Sequence, residues 1–399
     1  MFRPLLALLL AAAALRAEGI DTLIDRSLAQ HHSLKIIEQR LGAYDALEDK
    51  SSLFANPELL VGINDIQFDD PMDRTLEPMQ FTSVTLKQKF PWFGKRGAAG
   101  EKVRAQKAVL FASFEAAQAE LAKRIRLRAY TVAELNARLG VLQNYLELTN
   151  QNIALNTAYA STQRDRHMGI MSAELLRSDI AVRREKLTAM LTAQKARLAY
   201  LVQAPFDAVE ADEAVAPPPP LETYLQRLEN NRIYRVKAAD QKAAAAETKV
   251  KTLSANADPF VMVGYYYREA HPDYLSVTVG AALPLYGAER DDTEAARKAE
   301  LATAEAAADY RLQLRSEIET AYAALTEAYR TYRIITEESL PQVEHMVDLS
   351  DAKLRSGSDL FNYFDLLERK LRFDEQRIAA KADYLRAGAR LKALTGEIK

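Results

Sequence analysis

Asp365 and Glu368 are the sharpest candidates for joint chemistry in this 399-residue chain, because acids three apart share one face of a helix. Their chemistry would be electrostatic, an attraction for cations, and the plain alternative is a solvated helix face. Glu174 and Arg177 repeat the spacing in the first half of the chain. Other chemistries fall away. The five histidines, His31, His32, His167, His271 and His345, have no spacing with one another or with carboxylates that forms a tetrahedral metal set, and His31-His32 reads as a helix-face pair. There is no cysteine, which excludes disulfides, thiolate metal sites, a cysteine nucleophile and a lipidated N-terminal cysteine. Gly94-Lys95 is not a phosphate loop, since position 89 is Lys instead of Gly and neither Ser nor Thr follows the lysine. No nucleophile–base arrangement or catalytic carboxylate pair stands out, so neither an enzyme nor a cofactor is expected.

The elements that must position these residues are mostly helices. The chain is 48% hydrophobic and 27% charged, with only 14 Gly, 14 Pro and one Trp. A formal charge of −2 supplies no basic field for nucleic acid. Arg3, the apolar run at 5–14 and Leu15-Arg16-Ala17 predict a secretory signal peptide over 1–17, the alternative being an N-terminal anchor. Without Arg3 and Arg16, 51 basic residues face 55 acidic ones. No later stretch approaches the ~20 apolar residues of a membrane helix, so any membrane role falls to strands.

One passage occurs twice. Asn56-Pro57-Glu58-Leu59-Leu60-Val61-Gly62 returns as Ala257-Asp258-Pro259-Phe260-Val261-Met262-Val263-Gly264. Ser83-Val84-Thr85 through Phe90-Pro91-Trp92-Phe93-Gly94 returns as Ser276-Val277-Thr278 through Leu283-Pro284-Leu285-Tyr286-Gly287. A shorter loop in the second hairpin absorbs the difference between the two offsets, so a whole unit is duplicated. Its strands alternate. Leu275, Val277, Val279, Ala281 and Leu283 oppose Ser276 and Thr278, while Val84, Leu86 and Phe90 oppose Ser83, Thr85, Lys87 and Lys89. Val261, Val263, Tyr265 and Tyr267 continue the apolar set, whereas 59–68 shifts phase near Asp65. The polar set is predicted to face a wet lumen. Strands of ~9–11 residues suit a tilted membrane barrel, but four strands cannot close one and open edges fail in lipid, so several copies must share it.

From 98 to about 163 no proline interrupts a helix that would reach roughly 100 Å. Leu121, Ile125, Val132, Leu135, Leu139, Leu142, Leu146 and Ile153 form a four-three seam broken by Arg128 and Thr149. A weaker line runs through Leu127, Tyr130, Val141, Tyr145, Leu148, Leu155 and Tyr159, which predicts neighbours on two sides. The second long helix is expected over 291 to about 340. Breaks at Gly169 and Gly357 predict hairpin tips, with return helices over 173 to about 202 and 360 to 394. Shorter helices near 20–50 and 221–253 open the halves, and Pro217 to Pro220 form a stiff connector. The domain reading is a first repeat over 18–216 with a β-hairpin at about 57–90, the connector 217–220, and a second repeat over 221–399 with a hairpin at about 259–284.

The duplicated strand–turn–strand–long-helix plan, the Pro91-Trp92-Phe93-Gly94-Lys95-Arg96 junction and the glycine-tipped hairpins together resemble the outer membrane efflux proteins of the TolC family, over essentially the whole chain after the leader. The resemblance implies a mainly α fold with a membrane β-barrel portion. In it a homotrimer contributes four strands per protomer to a twelve-stranded barrel, continued by a periplasmic α-helical barrel. It implies a Gram-negative outer membrane location and a passive exit duct for small molecules or metal ions, delivered by an inner-membrane RND-type pump through a periplasmic adaptor. The heavy-metal subgroup has similar junctions. Pro91, Trp92, Phe93, Gly94, Pro284, Tyr286 and Gly287 would then meet the membrane interface, the aromatic residues forming a girdle unless they simply pack at the bend. Lys95 and Arg96 would lie among headgroups or at the top of the helical wall. Ser83, Thr85, Lys87, Ser276 and Thr278 would face the lumen. Asp365 and Glu368 resemble the paired gate acids of the family, with Glu for the second Asp and two extra residues after the glycine. Threefold symmetry would make each a ring whose members raise one another's pKa and attract cations. Glu174 and Arg177 occupy the comparable place in the first hairpin. The alternatives are a type I protein secretion duct, a periplasmic coiled-coil adaptor, or a structural coiled-coil protein.

Overall fold

A computed structural model describes residues 18–159, 164–204, 206, 209–211, 213–354 and 360–398. The expected leader, 1–17, and Gly357 lie outside them. In chain order, β1 (Glu18–Gly19), α1 (Ile20–Gln30) and α2 (His32–Ser52) lead into the antiparallel pair β2 (Glu58–Asn64) and β3 (Phe81–Lys89). Then come the 65-residue α3 (Lys95–Tyr159), α4 (Arg164–Val202) and β4 (Val209–Glu210). The second half supplies α5 (Leu221–Leu225), a 3-10 turn, α6 (Arg232–Ser254), β5 (Pro259–Tyr267) and β6 (Tyr274–Ala281). It ends with α7 (Ala288–Ile334), a π turn (Ile335–Ser339), α8 (Leu340–Leu354) and α9 (Leu360–Leu394).

Two compact units cut across the two expected repeats. One combines Ile36–Phe114 with Ile233–Arg311 and holds a single antiparallel sheet in the order β2-β3-β5-β6. Alternation makes these strands, and local chemistry ends them. Asp65 takes a φ of +54, which stops β2 where the sequence phase shifts. Arg74 then ties the loop by donating to the carbonyls of Asn64, Asp65 and Phe81. At the opposite ends of the two hairpins Gly94 (φ +85) and Gly287 (φ +83) let the chain leave a strand and start α3 and α7. These are equivalent positions of the duplicated unit.

The other unit takes the described residues up to Lys35 together with Glu115–Arg232 and Leu312–Lys399. One of its cores joins α3, α4 and α9 through Leu135, Leu142, Ala173, Ile180, Leu367 and Leu371. The four-three seam supplies this burial: Leu121, Ile125, Val132, Leu135 and Leu142 are buried, and Leu139, Leu146 and Ile153 pack beside them. The weaker line is only partly used, since Tyr130 and Tyr145 are buried while Leu148 and Leu155 stay exposed.

The second long helix does not end near 340. The Leu340 N–H reaches back to the Ile335 carbonyl, a wider turn that lets the chain stay helical past Pro341, which has no N–H to donate, to Leu354. Gly169 is likewise no tip. It lies inside α4, which starts at Arg164, earlier than the expected 173, and a Cβ built on Gly169 would stand 2.5 Å from Leu360 Cβ. The glycine is there so that α9 can approach, an effect that reads in sequence like a helix break. Gly169→Ala should therefore destabilise the chain. Overpacking costs about 1–3 kcal/mol, and the gain of about 1 kcal/mol in helix propensity recovers only part. Adding Leu360→Ala should remove the overpacking part of that loss; chemical denaturation of both variants and the Leu360→Ala parent measures the coupling, and additive losses would show the contact is not tight.

Candidate functional site

The sheet register sorts every strand residue onto one of two faces. Leu59, Leu86, Val263 and Val277 pair across all four strands, and Val61, Val84, Tyr265 and Leu275 form the next row. Val279, Ile63 and Tyr267 extend this face, and each of these side chains is substantially exposed, Val279 and Val61 by 71% and 70%. The opposite face mixes small and polar residues with aromatic rings. Its rows are Glu58, Lys87, Met262, Thr278, then Leu60, Thr85, Gly264, Ser276, then Gly62, Ser83, Tyr266, Tyr274. All five predicted lumen residues, Ser83, Thr85, Lys87, Ser276 and Thr278, share it. Lys87 and Lys89 both contact Glu58, at 3.2 and 3.1 Å, so one acid answers two lysines and that end keeps a positive excess. At the other end Tyr266 and Tyr274 stack at 4.7 Å, Phe81 packs edge-on, and the Arg268 guanidinium lies over Tyr274. β2 and β6 are the edges of the sheet.

At the strand exits the chain is bolted by a residue sequence reasoning missed. Asp258 accepts from the Trp92 N–H at 2.8 Å and from Lys95 Nζ at 2.7 Å, and Lys95 also donates to the Asn256 carbonyl. Its place just before the repeated Pro259 was the available signal. Lys95 is therefore an internal tie and not a free headgroup contact. Arg96 lies 3.8 Å above the Phe54 ring and donates to the Ser52 carbonyl. Phe93 is 89% and Tyr286 100% exposed, and Phe93 touches the neighbouring Trp92 ring edge-on at 6.1 Å. Pro284, Leu283 and Leu285 are exposed beside Tyr286.

On α9, Tyr363, Phe364, Leu366, Leu367 and Leu371 are buried, and Asp365 and Glu368 are partly exposed between them. Each acid has a cation one turn on, Arg369 for Asp365 and Arg372 for Glu368, both at 3.0 Å. Glu174 and Arg177 are exposed on α4, and neither carries an ion pair among the described residues. The strongly held acids are the next pair along. Glu375 is buried and receives Arg138 from α3 at 3.1 Å and Arg183 from α4 at 3.0 Å. Asp374 is buried and accepts the Tyr145 hydroxyl at 2.8 Å, with Lys370 and Arg377 nearby. Among the described residues no cluster of three His, Asp or Glu could hold a metal ion, and no helix is long and apolar enough to cross a membrane.

A sheet with one bare apolar face and one face of polar and aromatic residues, leading through glycine junctions into two long helices, has the fold of the TolC-type outer membrane channels. Three solved structures are similar to it. The open-state MtrE outer membrane channel of Neisseria gonorrhoeae has 14% identity and a TM-score of 0.76 over 95% of this chain and 89% of that one. The outer membrane protein VceC of Vibrio cholerae has 14% identity and 0.75 over 95% and 96%. CusC, solved in work on folding and transmembrane channel formation, has 12% identity and 0.77 over 95% and 92%. At such identities the likeness is one of fold. No protein-family model matches the chain, and no curated protein sequence does.

The buried tyrosines set an alkaline limit on the helical unit. Burial pushes the Tyr145 and Tyr130 phenols well above their ordinary range, and hydrogen bonds to Asp374 and Glu213 push further in the same direction. Both thus keep their protons in the folded chain after the unfolded chain has begun to lose them, near pH ~10. The folded state then binds more protons, so stability falls as pH rises above that value. Tyr130→Phe with Tyr145→Phe should cost about 1 kcal/mol per lost hydrogen bond at pH 8 and flatten the fall toward pH 11. Unfolding curves at the two pH values would read this, and an unchanged slope would refute it.

Proposed function

We propose that this chain is the outer membrane duct of a tripartite efflux system. Three copies share a twelve-stranded barrel, and small molecules or metal ions leave through it after an inner-membrane pump delivers them by way of a periplasmic adaptor. The duct performs no reaction and needs no cofactor. The observation that carries the reading is the four-stranded sheet, whose apolar face is bare and whose two edges carry unpaired backbone groups. Lipid hydrocarbon suits the face, and only strands of other copies can satisfy the edges. The nine residues each of β3 and β5 are the length a tilted membrane strand needs.

In this arrangement Ser83, Thr85, Lys87, Ser276 and Thr278 look into the lumen. Trp92, Phe93 and Tyr286 lie at the membrane interface, beside the turns made by Pro91-Trp92-Phe93-Gly94 and Pro284-Leu285-Tyr286-Gly287. Asp365 and Glu368 form the gate rings near the tips, with Glu174 and Arg177 on the neighbouring helix. Arg369 and Arg372 temper the field of those rings, because each covers one acid in its own chain.

Neighbouring substitutions test the faces. Val277→Arg should cost about 2–4 kcal/mol of folding free energy in lipid vesicles if the site is near the bilayer midplane. Thr278→Arg should insert normally and shift ion selectivity toward anions. Equal tolerance at both positions would overturn the assignment of faces. For the gate, Asp365→Ala with Glu368→Ala should raise single-channel conductance of the reconstituted trimer and weaken cation block, and unchanged traces would remove the acids from that role.

A further inference from the structure

The helical unit contains a basic cleft that neither the duct reading nor the core uses. Its volume is about 640 Å³, within the ~300–1,000 Å³ typical of small-molecule sites, and it is lined from three helices. Arg124 and Arg128 come from α3, Arg197 from α4, and Arg386 and Arg390 from α9, with Tyr200 beside them. No Asp or Glu lines it. Arg386 is already matched, by Glu134 at 2.6 Å and Asp383 at 2.7 Å. Arg128 donates only to the neutral Gln194 amide oxygen at 2.8 Å. Arg124, Arg197 and Arg390 make no hydrogen bond or ion pair among the described residues.

Such clustering is not a reflection of overall charge, since the chain carries a formal −2. Arg124, Arg197 and Arg390 are exposed along this cleft, so water and salt screen much of their mutual repulsion, and an anion that enters relieves what remains. Buried His31 senses the same field: burial first, then the charges of His32 and Arg124, hold its imidazole below the ordinary range. Guanidinium is also the side chain best shaped for two-point contact with carboxylate or phosphate oxygens.

We propose that this cleft binds a soluble, multiply charged oxyanion of small-organic size, a polyphosphate or polycarboxylate, held by Arg124, Arg128, Arg197 and Arg390. The site does not depend on the duct reading, since it is formed within one unit of one chain. Arg386 positions the wall and stays paired with its two acids.

Inorganic pyrophosphate is the probe, titrated calorimetrically into the purified full-length protein at low and at moderate salt. Binding should be saturable and should weaken as salt rises. The combined substitution Arg124→Gln, Arg197→Gln and Arg390→Gln should weaken it by at least about tenfold, the weight of a single charge-assisted hydrogen bond. Arg40→Gln, Arg297→Gln and Arg330→Gln change the charge equally at exposed positions elsewhere and should leave binding intact. Circular dichroism establishes that both triple variants fold, and Arg197→Gln alone replaces the cleft triple if it does not. No binding to the parent protein overturns the proposal. Equal losses in the cleft and control variants also overturn it, since they would reduce the effect to net charge. So does a cleft triple that binds normally but loses self-association, which would assign the arginines to carboxylates of another copy.

Discussion

An unsatisfied sheet edge is the constraint on which the rest of this structure depends. Each backbone N–H and C=O left open on β2 and β6 has to find a partner, and in hydrocarbon water cannot be that partner. Leu59, Val61, Val277 and Val279 on the bare face make the same demand in another form, since water is a poor neighbour for them. In the proposed duct both demands are met at once, by association of copies edge to edge within a lipid layer. The second apolar line of α3, with Leu148 and Leu155 exposed, asks for neighbours too.

Small residues make the polar face of the sheet workable. Phe260 lies over Gly280, its cross-strand partner, where a Cβ would meet the ring at 2.5 Å, and Tyr266 leans over Gly264. Glycine on this face thus gives large rings a place to lie flat, which leaves room above them. Gly94 and Gly287 do a different job with the same lack of a side chain: both take the left-handed conformation that turns a strand into a helix.

Charge on α9 is divided by burial. Asp374 and Glu375 are drawn inward and answered from α3 by Tyr145 and Arg138 and from α4 by Arg183, which ties three helices together around two buried carboxylates. Asp365 and Glu368, two turns earlier, are answered among the described residues only by arginines of their own helix. Local i, i+4 pairs of this kind hold little energy in water. In the proposed duct they are therefore free to exchange partners as a tip moves.

Much of the fold was legible because it is written in short periods. The alternation in 275–283 and 84–90, the four-three seam from Leu121 to Ile153, the paired Gly94 and Gly287, and a helix over 360–394 each repeat a local rule that one stretch of chain carries by itself. The site was less legible. The sequence placed Ser83, Thr85, Lys87, Ser276 and Thr278 on a common face, but it read Gly169 as a tip and ended the second long helix near Pro341. A glycine that breaks a helix and one that admits Leu360 from 191 residues away look alike in one dimension. A π turn that carries a helix past proline leaves no mark either. Asp258, Glu375 and the five arginines of the cleft acquired their roles only when separate helices and strands met. The chain by itself determined which elements form and which face of each is apolar, because those depend on neighbours within a turn or two. Tertiary structure alone decided which charges are paired, which glycines are contacts and where cations converge, because those depend on distances that only packing sets.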